Sequence, residues 1–294
     1  MKKKEIEQER KFRPERFTWH KGDFEEITDM DWLKEVEKSA KEVLKELGDG
    51  YNEGVYEEAL SHELRIRKIP YERQRNFEIL YKGYKVGEGR ADLIINPLWC
   101  GKGGKETVLE LKAVKKIVES HKRQAQVYMV SLNIDQGAVL SFGDEIQIES
   151  VEKPKKTFDT SVVKPKSLAT VNLSKNLEEC AEEVFEYFGK EFIYREGTEK
   201  LFPLAIGVGL RLRGIEFAQG SYDILYKCHK VSSYDFDFVF GKGEAAIVNF
   251  YKKEEEVKDL KSEFEIYAKL FNLKKGYLIA IPSTEDGKVK IETV

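Results

Sequence analysis

The stretch ETVLELKAVKK, residues 106–116, decides how the rest of the chain is read. Its apolar positions mark a strand, and strand periodicity places Glu110 and Lys112 on one face beside Val108 and Val114. Two charges buried in that way cost on the order of several kcal/mol unless they are paired, hydrogen-bonded or bound to a metal ion. The strand therefore predicts a site nearby that needs both.

Working outward, strand-like runs occur at 71–81 (YERQRNFEILY) and 90–96 (RADLIIN), and Asn96, Pro97 and the glycines at 101, 103 and 104 mark the turn into 107–114. Helical spacing covers 31–48, a second helix is expected near 53–68 and a third near 118–132, and a further strand falls near 136–142. The order α, α, β, β, β, α, β defines a mixed α/β domain. Consecutive strands tend to pair, so Asp92, in the strand before Glu110, can reach that carboxylate. The glycines of GEGR (87–90) are too few to cradle a phosphate and instead allow a bulge or a close backbone approach before Asp92.

With 294 residues, 41% of them hydrophobic, the chain suits two ordinary domains. Its 50 basic and 53 acidic residues leave a net charge of −3, so binding to a polyanion requires a local patch rather than a global field. No apolar run approaches the roughly 20 residues of a membrane helix, and MKKKEIEQERKFRPER lacks the apolar stretch of a signal peptide, so a cytoplasmic protein with no membrane partner is expected. Cys100, Cys180 and Cys228 fit no paired zinc spacing and read as free thiols.

A tandem duplication organises the chain. Residues 199–219 (EKLFPLAIGVGLRLRGIEFAQ) lie over 53–74, with Glu199 on Glu53, Phe202 on Tyr56 and Arg213 on Arg67. Further on, Asp237 lies over Asp92, and AIVNFYK lies over TVLELKA, which puts Asn249 on Glu110 and Tyr251 on Lys112. The expected layout is a charged extension (1–28), a first domain (29–151), a linker (152–173) and a degenerate second copy (174–294). The second copy keeps the apolar pattern and drops the charged pair. That assigns Glu110 and Lys112 to chemistry rather than packing.

Two adjacent carboxylates repel when ionised, and a divalent cation resolves the conflict. The hard oxygen donors favour magnesium, with manganese as the alternative. Lys112 beside the ion would orient a water or stabilise developing negative charge, which are the components for metal-assisted hydrolysis of a phosphodiester.

Asp92 with the later Glu110-Leu111-Lys112 resembles the PD-(D/E)XK nuclease signature. Upstream, Gly50, Glu53 and Tyr56 are similar to the GxxExxY motif of one family in that superfamily; downstream, His121, Gln124 and Tyr128 resemble its HxxQxxxY helix. The resemblance covers about residues 31–145. It implies a restriction-endonuclease-like mixed sheet flanked by helices, a magnesium-dependent nuclease with DNA as favoured substrate, and metal binding by Asp92, Glu110, Leu111 and an acidic residue of the first motif. For the last, Glu57 is preferred over Glu53. Gln124 and Tyr128 would orient Lys112 or touch a nucleotide, although Tyr128 recurs as Tyr267 and is as readily a core residue. His121 reads better as a helix cap. Arg65, Arg67, Arg73 and Arg75 offer a surface that could track a phosphate backbone. The second copy could pack on the first, extend the nucleic-acid surface or recruit a partner, a second copy of the chain included. The competing reading is a binding module that retains a metal site without turnover.

Overall fold

The computed structural model describes residues 31–96, 105–155, 164–195, 197–241 and 243–294. The N-terminal extension 1–28, Cys100 with most of its glycine-rich loop and the middle of the expected linker lie outside the described residues.

Two five-stranded sheets carry the architecture. The first half runs α1 (Trp32–Leu47), α2 (Glu53–Ile66), β1 (Tyr71–Tyr81), β2 (Tyr84–Ile95), β3 (Thr107–Lys112), α3 (Glu119–Leu132), β4 (Gln136–Phe142) and β5 (Ile146–Glu152). The strands lie in sequence order; β3 and β4 pair in parallel and all other neighbours antiparallel. A parallel pair needs a crossover, and α3 supplies it. The second half repeats the plan with α4 (Leu173–Phe188), α5 (Leu201–Leu212), β6 (Ala218–Tyr226), β7 (His229–Phe240), β8 (Glu244–Tyr251), α6 (Glu256–Leu270), β9 (Lys275–Pro282) and β10 (Lys290–Thr293). Its β8–β9 pair is again the parallel one. This mixed α/β architecture is consistent with a tandem duplication of a restriction-endonuclease-like sheet.

The expected strands at 71–81 and 136–142 stand at those bounds, whereas β5 is an addition. It is an edge strand in which Val151 is buried and Ile146 and Ile148 pack, partly buried, against the core under α1 and α2. The glycines before Asp92 lie inside β2. The ladder shifts register beside Ile79, the partner of Gly87, and a Cβ at Gly89 would come within 2.7 Å of the Phe77 ring. A bulge and a close approach are both realised.

Apolar packing forms three layers. One face of the first sheet (Leu93, Leu109, Leu111, Leu140) packs on α1 and α2 through Val36, Ala40, Leu60 and Leu64. The opposite face, with α3, shares a core with the second half: Val108, Tyr128 and Val139 belong to one cluster with Phe188, Phe192, Phe202 and Phe238. The far face of the second sheet packs on α6 through Ala245, Ile247 and Phe264. The two halves are therefore joined by a continuous apolar interior. Such burial contributes about 25 cal/mol per Å² of apolar surface, so separating them would be costly. Among the described residues no helix is long and apolar enough to cross a membrane.

Candidate active site

The β2–β3 ladder pairs Ile95 with Thr107, Ile94 with Val108 and Leu93 with Leu109, and stops there. The next free N–H on β3, that of Leu111, donates to Asp92 Oδ2 at 2.8 Å. The end of the ladder thus fixes Asp92 against the Glu110–Lys112 segment. Glu110 is fully buried, and its Oε1 accepts from Lys112 Nζ at 2.7 Å and from Gln124 Nε2 at 2.5 Å. Gln124 also reaches the Tyr128 hydroxyl at 3.2 Å, so the crossover helix holds Glu110 as well.

The third acid arrives from α2. Asn52 caps this helix by accepting from Val55 N at 3.2 Å, which leaves Glu53 in the first turn, with Oε2 lying 3.6 Å from Lys112 Nζ. Glu53, Asp92 and Glu110 each present a carboxylate oxygen within 4.8 Å of the others. Burial, reinforced by the Glu110 charge, pushes the Asp92 carboxyl up to about 8 against the Leu111 N–H that lowers it. Burial also raises Glu53, opposed by Lys112. For Lys112 burial works downward, but Glu110 and Glu53 outweigh it and hold the amine above its ordinary value.

These residues fit a divalent cation. All donors are hard oxygens; the acids destabilise one another without a positive charge; and two buried acceptors, Glu110 Oε2 and Gln124 Oε1, have no hydrogen-bond partner among the described residues. Lys112 offsets only part of the negative charge that the ionised acids carry.

The expected acidic member is corrected. Glu57 is not in this cluster: its Oε1 is taken by Arg73 Nε at 2.5 Å and Gln74 Nε2 at 3.0 Å, and Glu53, one helical turn earlier, occupies the place assigned to it. Glu53 and Glu57 are four residues apart on one face, so spacing alone cannot separate them. Tyr56 is a structural pin, stacked on Phe142 at 4.4 Å with its hydroxyl donating to Gly48 O at 2.9 Å. Gly50 holds φ +89°, a left-handed turn that suits glycine. The Leu111 side chain lies in the opposite core and its N–H is committed to Asp92, so only its carbonyl is left to offer a ligand. His121 caps α3, its Nδ1 accepting from Val118 N at 3.3 Å.

The arginines form no free basic face. Arg67 pairs with Glu63, Arg73 with Glu57 and Glu58, and Arg75 with Glu72 and Glu106, while Arg65 donates to the Tyr71 hydroxyl.

Two side chains that the sequence reading missed come from the second half. Arg195 places Nη1 4.0 Å from Glu110 Oε1 and its guanidinium 5.4 Å from the centre of the Tyr128 ring. Glu191 accepts from Ser120 Oγ at 2.7 Å on α3. Their only trace in the sequence is the loop after Gly189, which is longer than its counterpart after Gly48.

The strand ladders also correct the equivalence between the halves. Phe238 pairs with Ala246 as Leu93 pairs with Leu109, and Gly276 pairs with Ala245 as Gly137 pairs with Val108. The hydrogen bond of Asp92 to Leu111 N recurs as Asp237 to Val248 N at 2.7 Å. Glu110 therefore corresponds to Ile247 and Lys112 to Asn249, two positions earlier than the matching of AIVNFYK with TVLELKA implies. The charged pair is absent from the second half in either register.

A mixed sheet that sets an Asp and a Glu-x-Lys on adjoining antiparallel strands, with a Gln on the crossover helix, defines the restriction-endonuclease-like class. Residues 30–153 match the family model of the PD-(D/E)XK nuclease superfamily, which spans the whole first sheet and less than half of the chain. The chain is also similar to a solved protein titled "Crystal structure of SSO0001", with 25% identity over 35% of this chain and 52% of that one and a TM-score of 0.29. The chain thus matches about half the length of that protein. No curated protein matches the chain.

Proposed function

We propose that the first half is a magnesium-dependent nuclease of the GxxExxY type that hydrolyses phosphodiester bonds of DNA, and that the second half is its inactive copy. The observation that carries the reading is the meeting of Glu53, Asp92 and Glu110 within 4.8 Å, with the Lys112 amine 2.7 Å from Glu110. The match of residues 30–153 to a nuclease superfamily supports it independently.

The three carboxylates would hold the ion, with manganese as a substitute for magnesium. Bound there, the ion would supply Lewis acidity to a phosphate oxygen and favour the hydroxide form of water. Lys112, held in its charged form, stands where it can orient the attacking water and offset negative charge that builds on the phosphate. Gln124 keeps Glu110 turned toward the site. Water oxygen forms the new bond to phosphorus and gives up a proton to solvent, while the bond to the leaving ester oxygen breaks, that oxygen keeping the electron pair and taking a proton from solvent. The free thiols Cys180 and Cys228 accord with action in the reducing cytoplasm.

The test is cleavage of single-stranded, double-stranded and branched DNA and RNA with magnesium, manganese or EDTA, beside Lys112→Ala and Glu110→Ala. Metal-dependent cutting of DNA that both variants lose is the expected result. Binding without cutting under every condition would reduce the protein to a binding module, and preferential cutting of RNA would overturn the DNA assignment.

A further inference from the structure

We propose that the second half completes the active site of the first, with Arg195 receiving a backbone phosphate of the nucleic-acid strand; the inference rests on the nucleolytic reading above. The two halves enter their second helices differently. From Gly48 the chain reaches Glu53 in five residues, whereas from Gly189 it takes ten to reach the equivalent Glu199. Within this extra length Glu191, Arg195 and Gly197 each reach residues of the first half.

This loop is tied down at several points. Glu191 accepts from Ser120 on α3, and Gly197 O accepts from Glu88 N on β2 at 3.2 Å. Gly197 holds φ +81°, and a Cβ there would stand 3.0 Å from Glu88 O, so glycine is what lets the loop lie against the strand. The buried Thr198 hydroxyl sits 2.8 and 2.7 Å from the carbonyls of Phe192 and Arg195. Tyr194, just before the arginine, holds φ +62°, a conformation that non-glycine residues keep only where the surroundings enforce it. Arg195 is therefore placed in advance of any ligand.

Its guanidinium lies over the Tyr128 ring and in the field of Glu110, Asp92 and Glu53, but not in hydrogen-bonding contact with any of these acids. The side chain is 28% exposed, yet among the described residues no hydrogen bond holds it; Glu110 at 4.0 Å is too distant, and the near oxygen already accepts from Lys112 and Gln124. Arg67, Arg73, Arg75 and Arg213 differ, each being locked on a carboxylate. A largely covered guanidinium whose donors make no hydrogen bond among the described residues suits an anion with several acceptor oxygens. Beside it opens a cleft of about 290 Å³ lined by Asn76, Glu88, Gly89, Arg90, Arg195 and Gly197. Two guanidinium groups and an amide against one carboxylate suit a phosphodiester, whose oxygens accept the planar fork of arginine.

The experiment measures binding of the full chain to fluorescent single- and double-stranded DNA and RNA oligonucleotides in EDTA across a salt series, for wild type, Arg195→Ala and Arg195→Gln. The glutamine variant removes the charge while keeping a polar side chain with two N–H donors, so it reports even where alanine unsettles the loop. Both variants should bind at least about fivefold more weakly, and the slope of log affinity against log salt should become shallower by about 0.7 to 0.9, the signature of one lost phosphate contact. Manganese affinity, followed by titration calorimetry, should be retained. If affinity and slope are unchanged in Arg195→Gln, Arg195 is only a counter-ion for Glu110 and the proposal falls. An Arg195-dependent slope in a protein that cuts nothing would overturn the nuclease reading and keep the phosphate contact; a wild type that binds no oligonucleotide would overturn both.

Discussion

In the first sheet Glu110 and Lys112 face the crossover helix and meet Asp92 and Glu53; in the second their ladder equivalents are Ile247 and Asn249, and Ile247 packs on Phe264 of α6. Glu199, the counterpart of Glu53, turns back to accept from its own Gly197 N–H at 3.1 Å. Asp237 alone survives, and it keeps the bond to a β8 N–H that Asp92 makes to β3. The difference separates two roles within one motif. The aspartate closes the end of a strand ladder and serves either sheet, whereas the Glu–Lys pair adds nothing the fold requires.

The strongest way to break this contrast is to disable each site in turn. Glu110→Gln and Lys112→Ala should each lower cleavage by at least about a hundredfold, the scale on which a preorganised charged group acts in a transition state. Asn249→Ala and Asp237→Asn should leave single-turnover rates within about twofold, since among the described residues it is Glu53, Asp92 and Glu110 whose carboxylates come close enough together to share a metal ion. Comparable losses from Asp237→Asn would mean that the second cleft, lined by Asp237, Asn249 and Glu263, also works.

A smaller effect concerns stability without metal. Removing the Lys112 amine leaves Glu110 buried among carboxylates, so Lys112→Ala should cost about 3 kcal/mol of unfolding free energy in EDTA. Added manganese should restore part of it, whereas Asn249→Ala should respond to neither. Denaturant titration in both conditions checks this; equal destabilisation of the two variants would show that Lys112 matters for packing alone.

The pH dependence sharpens the comparison further. Asp92 titrates in the folded chain at about 8, above its ordinary value of 3.8, so the folded state holds a proton that the unfolded state releases. The stability linked to that proton is complete below about pH 4 and is lost as the pH rises through 8. In EDTA the melting temperature should therefore fall between about pH 5 and 9, and Asp92→Asn should flatten the decline. Manganese binding near neutrality should expel this proton, visible by calorimetry in buffers of different ionisation enthalpy, and should expel none well above pH 8.

How much of this was legible in the sequence depended on the kind of signal. The strands around Asp92 and Glu110 could be read because alternation and apolar runs are local, and the Glu–Lys pair stood out against them. Glu53 and Glu57 could not be ranked, because they share a helix face and only the reach of Arg73 and Gln74 to Glu57 decides between them. The register between the copies slipped by two residues because a two-residue shift preserves alternation, so apolar pattern cannot detect it and only the ladder partners do. Arg195 was invisible for a different reason: it belongs to one copy by sequence and to the other by contact.

The smallest expected effect tests the pin under Glu53. The Tyr56 hydroxyl donates to Gly48 O at 2.9 Å and accepts from Tyr51 N at 3.3 Å, closing the turn that delivers Glu53 to the site. The second half has Phe202 at this position, where no such turn must be held. Tyr56→Phe removes both bonds while keeping the ring stack on Phe142, so it should cost about 1 kcal/mol and slow cleavage several-fold through misplacement of Glu53. The reciprocal Phe202→Tyr adds a hydroxyl inside an apolar core and should destabilise by about 1–3 kcal/mol without any gain in cleavage. If Tyr56→Phe weakens stability but leaves both manganese affinity and rate intact, the turn fixes the helix and not the acid, and the position of Glu53 must come from Lys112 across the site.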